Sequence, residues 1–318
     1  MRHARWMTTA FRGVLAAILA TSLTMWNLGP VPVARAAIFT VNSTADASDN
    51  NLGDGVCLTA TLTDCTLRAA IEEANALAGA DTIQVPGGTY VLTGGTLPVT
   101  STIQIAPTSA SAAVTISGGG QAAPVFSLGT GANLQLSQLT VTGATVAPAI
   151  DVTDGTLILT TSTLTGNTGG ALRLNGATAV ATISETTIAN NSGGAASVDL
   201  AVANATATLT RVTIAGNSGG SVVGGLRVET DAVANLSGSI VANNTGGGAD
   251  CIGAVTAGGL NIIETPGCTV TGTTPLEVDP VLGGLAPNGG PTQTQLPGTT
   301  SPALNAGGAC SSTDQRGV

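Results

Sequence analysis

The chain has 318 residues and a formal net charge of −9, with 44 Gly, five Cys and one His; 43% of residues are hydrophobic, but only 8% are charged and 2% aromatic. The apolar content excludes disorder, the lack of a G-X-Y period excludes collagen, and the missing basic footprint excludes nucleic-acid binding. All nine basic residues are Arg, and four of them (Arg2, Arg5, Arg12, Arg35) precede residue 37, which leaves five Arg against 18 acids in the remainder.

Residues 1–36 read as a secretory leader. Arg2, His3, Arg5 and Arg12 form a positive start, Val14 to Trp26 is a short apolar run, and Ala34-Arg35-Ala36 is a small-x-small cleavage pattern. The run is shorter than the roughly 20 residues of a membrane helix, so the mature chain is expected to begin at Ala37, with no membrane span.

Residues 37–80 read as an N-terminal cap. Leu67, Ala70, Ile71, Ala74 and Leu77 recur at helical spacing, Thr66 or Asp64 can cap the start, and Gly79 ends the helix. Arg68 and Glu72, four apart, are expected on its surface. Asp46, Asp49 and Asp54 read as a solvated acidic loop in preference to a metal site.

Residues 81–270 carry a repeat. Leu164-Thr-Gly-Asn167-Thr-Gly-Gly170, Ile188-Ala-Asn-Asn191-Ser-Gly-Gly194, Ile214-Ala-Gly-Asn217-Ser-Gly-Gly220 and Val241-Ala-Asn-Asn244-Thr-Gly-Gly247 share one pattern, and Leu139-Thr-Val-Thr142 is a weaker copy. Gly166, Asn190, Gly216 and Asn243 are the residue types that tolerate a left-handed backbone, so each marks a corner. The next position is always Asn (Asn167, Asn191, Asn217, Asn244), and stacked amides there form a ladder. Short Thr-, Val-, Ile- and Leu-rich strands lie between corners. One coil of about 25 residues, with coils about 4.8 Å apart, makes a β-solenoid of about seven coils.

Aligning Ile150-Asp151-Val152, Leu172-Arg173-Leu174, Val198-Asp199-Leu200 and Leu226-Arg227-Val228 stacks Asp151, Arg173, Asp199 and Arg227 as an outward ion ladder. The same register sets Glu185 over Arg211. Two local disulfides are expected, Cys57–Cys65 and Cys251–Cys268, with Cys310 left over. Residues 271–318 read as a Pro- and Gly-rich tail, laid over the C-terminal coils or partly disordered.

Cys65-Thr-Leu-Arg-Ala-Ala-Ile71, with Asn75, Gly79-Ala-Asp-Thr-Ile83 and Gly88-Thr-Tyr90, resembles the CSLREA motif of secreted bacterial proteins. The tail is similar to the choice-of-anchor segment of the same family through Asp279-Pro280, Leu285, Asn288-Gly-Gly-Pro-Thr292, Ser301-Pro-Ala303, Ala306-Gly307 and Asp314-Gln-Arg-Gly317. Thr66, Ala69 and Asn305 depart from the usual Ser, Glu and Asp. The resemblance implies an all-β, right-handed parallel β-helix of the pectin-lyase-like fold, without established catalytic residues. Relatives continue past the final motif to another Cys, so the resemblance also implies truncation at Val318 and a lost partner for Cys310.

A polysaccharide lyase needs a free Lys or Arg beside groups that neutralise a uronate, and the chain has no Lys. A glycoside hydrolase needs paired carboxylates, for which Asp151 with Asp154, or Glu229 with Asp231, are the candidates; the same pairs are weak Ca²⁺ candidates. An ice-binding face needs aligned Thr rows, and the Thr140/Thr142, Thr163/Thr165 and Thr208/Thr210 steps read as falling at different coil positions. The favoured expectation is a secreted or cell-surface scaffold, non-catalytic and without cofactor or metal, whose partners are cell-surface polysaccharide or other surface proteins.

Overall fold

A computed structural model describes residues 35–194, 196–220, 222–307 and 313–317; the leader up to Ala34, and Cys310, lie outside them. The coiled region is a right-handed parallel β-helix of about seven turns. Three short strands per coil stack into three parallel sheets. Sheet S1 runs from Ile38–Thr40 through Ala80–Val85, Thr102–Pro107, Asn133–Ser137 and Thr156–Thr160 to Val233–Ser237 and Cys251–Gly258. Sheet S2 holds Gly88–Val91, Val114–Ser117, Leu139–Thr142, Thr163–Thr165 and Ile240–Ala242. The long strands Val180–Ala189 and Thr206–Ala215 turn the S1–S2 corner and belong to both. Sheet S3 holds Leu97–Val99, Phe126–Leu128, Ile150–Val152, Leu172–Leu174, Val198–Leu200 and Leu226–Val228.

Period-2 alternation sends every second side chain inward. Ile83, Ile105, Leu136, Leu159, Ile183, Leu209 and Leu236 therefore lie one above the next along S1, each essentially without exposure. Each such residue contributes on the order of 1.5–3 kcal/mol by leaving water. That is how a chain with almost no aromatic residues builds its core.

Left-handed backbone recurs at two corners down the stack, and Asn204 and Asp231 add it between S3 and S1 in two coils, at φ of 66° and 65°. The S2 exit places Gly143, Gly166, Asn190, Gly216 and Asn243 at φ of 76°, 65°, 56°, 68° and 56°. The S1–S2 corner, which no Gly/Asn pattern signals, does the same with Gln138, Thr161, Glu185, Arg211 and Gly238, at φ between 46° and 60°. Left-handed backbone costs an L-residue about 1–2 kcal/mol, and the parallel ladders on either side hold it there.

Two interior polar columns satisfy the backbone at these corners. Asn191 Oδ1 accepts both the backbone and side-chain N–H of Asn167, at 3.2 and 2.9 Å. Asn217 serves Asn191 in the same way, at 3.0 Å twice, and Asn244 serves Asn217, at 3.1 and 2.9 Å. The row ends on Asp250, an acceptor-only carboxylate whose Oδ1 takes both donors of Asn244 and whose Oδ2 takes the Thr265 N–H. The second column, one residue past the S1–S2 corner, holds Ser162, Thr186, Ser239 and Asn261. Their side-chain oxygens accept the N–H groups of Leu139, Ser162, Val212 and Ser239.

Helix α1, Leu67–Ala76, packs against the first coil. Thr66 caps its start by accepting the Ala69 N–H at 3.1 Å. Arg68 is not on the surface as an i,i+4 partner of Glu72. It is buried, forked onto Asp46 at 2.7 and 3.1 Å, and donates to the Thr96 and Gly95 carbonyls. The planar guanidinium needs several fixed acceptors, and the cap loop and first coil together supply them. Asp46 is correspondingly no solvated acid; it also accepts the Thr93 and Gly94 N–H groups. Asp49 and Asp54 accept N–H groups of their own loop. Glu72 instead holds Ser48 and the Asp49 N–H, while fully buried Glu73 accepts from Gly53 and Gly55 at 2.6 and 2.5 Å. Disulfides join Cys57 to Cys65 and Cys251 to Cys268.

The described part of the tail reaches further than a segment laid on the last coils. It folds back on itself through the antiparallel bridges Leu282↔Pro297 and Ala286↔Thr294, and the fold-back lies on the middle coils, with Thr292 donating to the Thr161 carbonyl and Gln293 accepting from Thr163. There Gln315 donates to the Ser162 and Gln293 carbonyls and to Thr163 and Thr292, and accepts from Thr187 at 2.7 Å.

Candidate functional site

The outer face of S3 carries the chain's main charge row. Each strand there is apolar–x–apolar, so the two apolar residues anchor it and the middle one faces outward. Opposite one another in register lie Ser127, Asp151, Arg173, Asp199, Arg227 and Ile252. The hydrogen bonds form two pairs. Arg173 forks onto Asp151 with both contacts at 3.0 Å, and Arg227 donates to Asp199 at 2.9 Å. The second Arg227 nitrogen pairs with Glu229.

The Asp151 hydrogen bond, aided by the charges of Asp151 and Asp199, holds the Arg173 guanidinium above its ordinary pKa. Asp199 moves up as well, because it is 4% exposed and its burial outweighs the pull of Arg227 and Arg173. Beside this row, Val146, Pro148, Gly169, Leu172, Arg173 and Asp199 line a groove of about 310 Å³.

The structure places the two candidate carboxylate pairs in engaged or separated positions. Asp151 is committed to Arg173 and Glu229 to Arg227. Asp154 accepts from Thr178 of the next coil at 2.9 Å. Asp231 is exposed at a coil corner, with φ of 65°. Glu185 and Arg211 form an ion pair across adjacent coils at the left-handed S1–S2 corner. Among the described residues, no group of three or more His, Cys, Asp or Glu is arranged to hold a metal ion.

The threonines of S2 align, against the expectation of different coil positions. Thr140 and Thr163 occupy the same coil position, and Thr115, Thr140, Thr163, Thr187 and Thr213 form one row along S2. Thr208 and Thr210 differ because they belong to S1. The row is not a free face: the tail covers Thr163 and Thr187, which are 0% and 2% exposed.

No family model and no curated protein matches the chain. Among solved structures it is similar to Jun a 1, the major allergen from cedar pollen, at 15% identity and a TM-score of 0.47, over 74% of this chain and 71% of that one.

Proposed function

We propose that the protein is a secreted or cell-surface β-helix scaffold without catalytic activity, acting in adhesion, matrix or surface-layer contacts. One observation carries this reading: Arg68, Arg173, Arg211, Arg227 and Arg316 are each paired with a carboxylate. With no Lys in the chain, a uronate entering the groove meets no uncommitted cation to neutralise it or to take its proton. The carboxylates of the S3 row are equally committed, which takes Asp151 and Asp199 out of the acid and base roles that hydrolysis requires.

The extracellular setting is supported by the two disulfides. The leader at residues 1–36 belongs to the same reading. So does kinship with the CSLREA and choice-of-anchor proteins, through the residues around Cys65–Ile71 and in the tail. Its partners in this reading are cell-surface polysaccharides or other surface proteins.

A polysaccharide lyase or glycoside hydrolase is the second reading, favoured by the groove beside Arg173 and Asp199. A depolymerisation screen on acidic and neutral polysaccharides, with and without Ca²⁺, separates the two. The scaffold reading expects neither reducing ends nor unsaturated products. Turnover that disappears in Asp151→Asn or Asp231→Asn would establish the second.

A further inference from the structure

The inward columns of S1 contain one anomaly. Down one column the residues are Asp81, Ile103, Leu134, Leu157, Ala181, Ala207, Ala234 and Val255. Asp81 thus stands where every later coil places an apolar side chain, and it is 1% exposed. Its Oδ1 accepts a single hydrogen bond, from the Ala37 backbone nitrogen at 2.7 Å. Its Oδ2 is buried with no hydrogen-bond partner. No Arg forms an ion pair with it among the described residues. A carboxylate so placed, accepting one amide proton, is far from compensated.

Its one donor is the first residue after the expected cleavage point. The parallel pairing of Ile38 with Thr82 sets Ala37 alongside Asp81, and the Thr82 N–H donates to the Ala37 carbonyl at 2.9 Å. Arg35 and Ala36, just before it, are exposed. Gly79 makes room for them: a Cβ there would lie 2.9 Å from the Arg35 carbonyl oxygen.

We propose that leader removal converts Ala37 into a charged chain end that locks onto Asp81, so that processing completes the core of the first coil. The inference rests on the reading of residues 1–36 as a cleaved leader. Hydrolysis by a leader peptidase breaks the Ala36–Ala37 C–N bond. Water supplies the oxygen of the new Ala36 carboxylate, and the freed Ala37 amine takes up a proton to become an ammonium. One N–H donor thereby becomes three, with a positive charge. The group already aimed at Oδ1 then serves the orphaned Oδ2 and neutralises the buried carboxylate.

The absence of Lys gives a direct test, because the α-amine of the processed chain is its only primary amine. The full chain is expressed through a secreting host and the mass of the exported protein is measured. Its amine is then labelled at pH 8 with an acylating ester, folded and in denaturant. The expected start is Ala37; export with the leader retained, or a start elsewhere, overturns the processing step and with it the leader reading.

Given that start, folded protein is expected to label at least about tenfold more slowly than unfolded protein. Chain acylated while unfolded is expected to refold with a folding constant about tenfold lower, the size of one charge-assisted hydrogen bond. Equal labelling rates, or an unchanged folding constant after acylation, would overturn the lock while leaving the leader reading intact. Asp81→Asn should restore fast labelling and make acylation neutral. The labelling comparison needs no variant, so it decides the matter even if Asp81→Asn does not fold.

Discussion

Asp46 and Asp199 both face arginine from partly or fully buried positions, and they respond in opposite directions. At Asp46, burial pushes the carboxyl up, but the Arg68 hydrogen bond, the Gly94 and Thr93 N–H groups and the Arg68 charge together bring it below its ordinary 3.8. At Asp199 burial prevails and the carboxyl rises. The linkage signs therefore differ. Asp46 stabilises the fold above its unfolded pKa, and that stability is lost as pH falls through the lower folded value. The contribution of Asp199 is fully present below its unfolded pKa and is lost as pH rises through the higher folded value. Denaturant midpoints from pH 2 to 7 should show Asp46→Asn costing about 3 kcal/mol at neutral pH, since it strands buried Arg68, with a shallower acid limb. In Asp199→Asn the opposing slope just above pH 3.8 should vanish. Steric limits act at the same scale. A Cβ on Gly176 would lie 1.2 Å from the Thr153 carbonyl oxygen in the preceding coil. Gly176→Ala must push two coils apart and should cost about 1–3 kcal/mol, read as a lower unfolding midpoint.

At the scale of the element, the molecule stacks two kinds of row with unequal value. Asn167, Asn191 and Asn217 are buried, and each amide satisfies groups of both neighbouring coils. The S3 charge row is wetter: the Arg173 side chain is 39% exposed, so solvent screens its pair and leaves about 0–1 kcal/mol. Asn191→Ala should therefore cost about 2–3 kcal/mol by orphaning the Asn167 donors and the Leu164 carbonyl. Arg173→Ala should cost no more than about 1 kcal/mol. Urea unfolding of the two variants side by side checks the ranking, and equal losses would show that the charge row bears more than screening allows. The element scale also explains why the Asn row was legible in the sequence while the Ser162, Thr186, Ser239 and Asn261 column was not. The first repeats one residue type beside a Gly or Asn corner. The second mixes three types, beside a corner built from Gln138, Thr161, Glu185 and Arg211.

For the whole molecule, the tail is the feature that departs most from a simple stack. Gln315 is 8% exposed and ties the chain's end to Ser162, Thr163 and Thr187 in the middle coils. Gln315→Ala leaves the buried Thr187 hydroxyl without its side-chain acceptor. It should cost about 1–3 kcal/mol and make the tail a faster substrate in limited proteolysis than the coils. Unchanged cleavage would mean that the Leu282↔Pro297 and Ala286↔Thr294 bridges hold the tail by themselves.

The sequence by itself determined the coil, its period, the Asn row, the outward charges of S3, the capping helix and the two disulfide pairings. Each is a local or periodic property: a corner residue, a two-residue alternation, a spacing of about one coil, a short loop. Only the tertiary structure decided the rest. Arg68 is drawn inward by Asp46 from a loop 22 residues away, and Gln315 meets its partners in the coils across 128 to 153 residues. Asp81 proves to be a core position only once Ile38–Thr40 pairs beside it. None of these contacts repeats along the chain, and a contact that occurs once leaves no period to read.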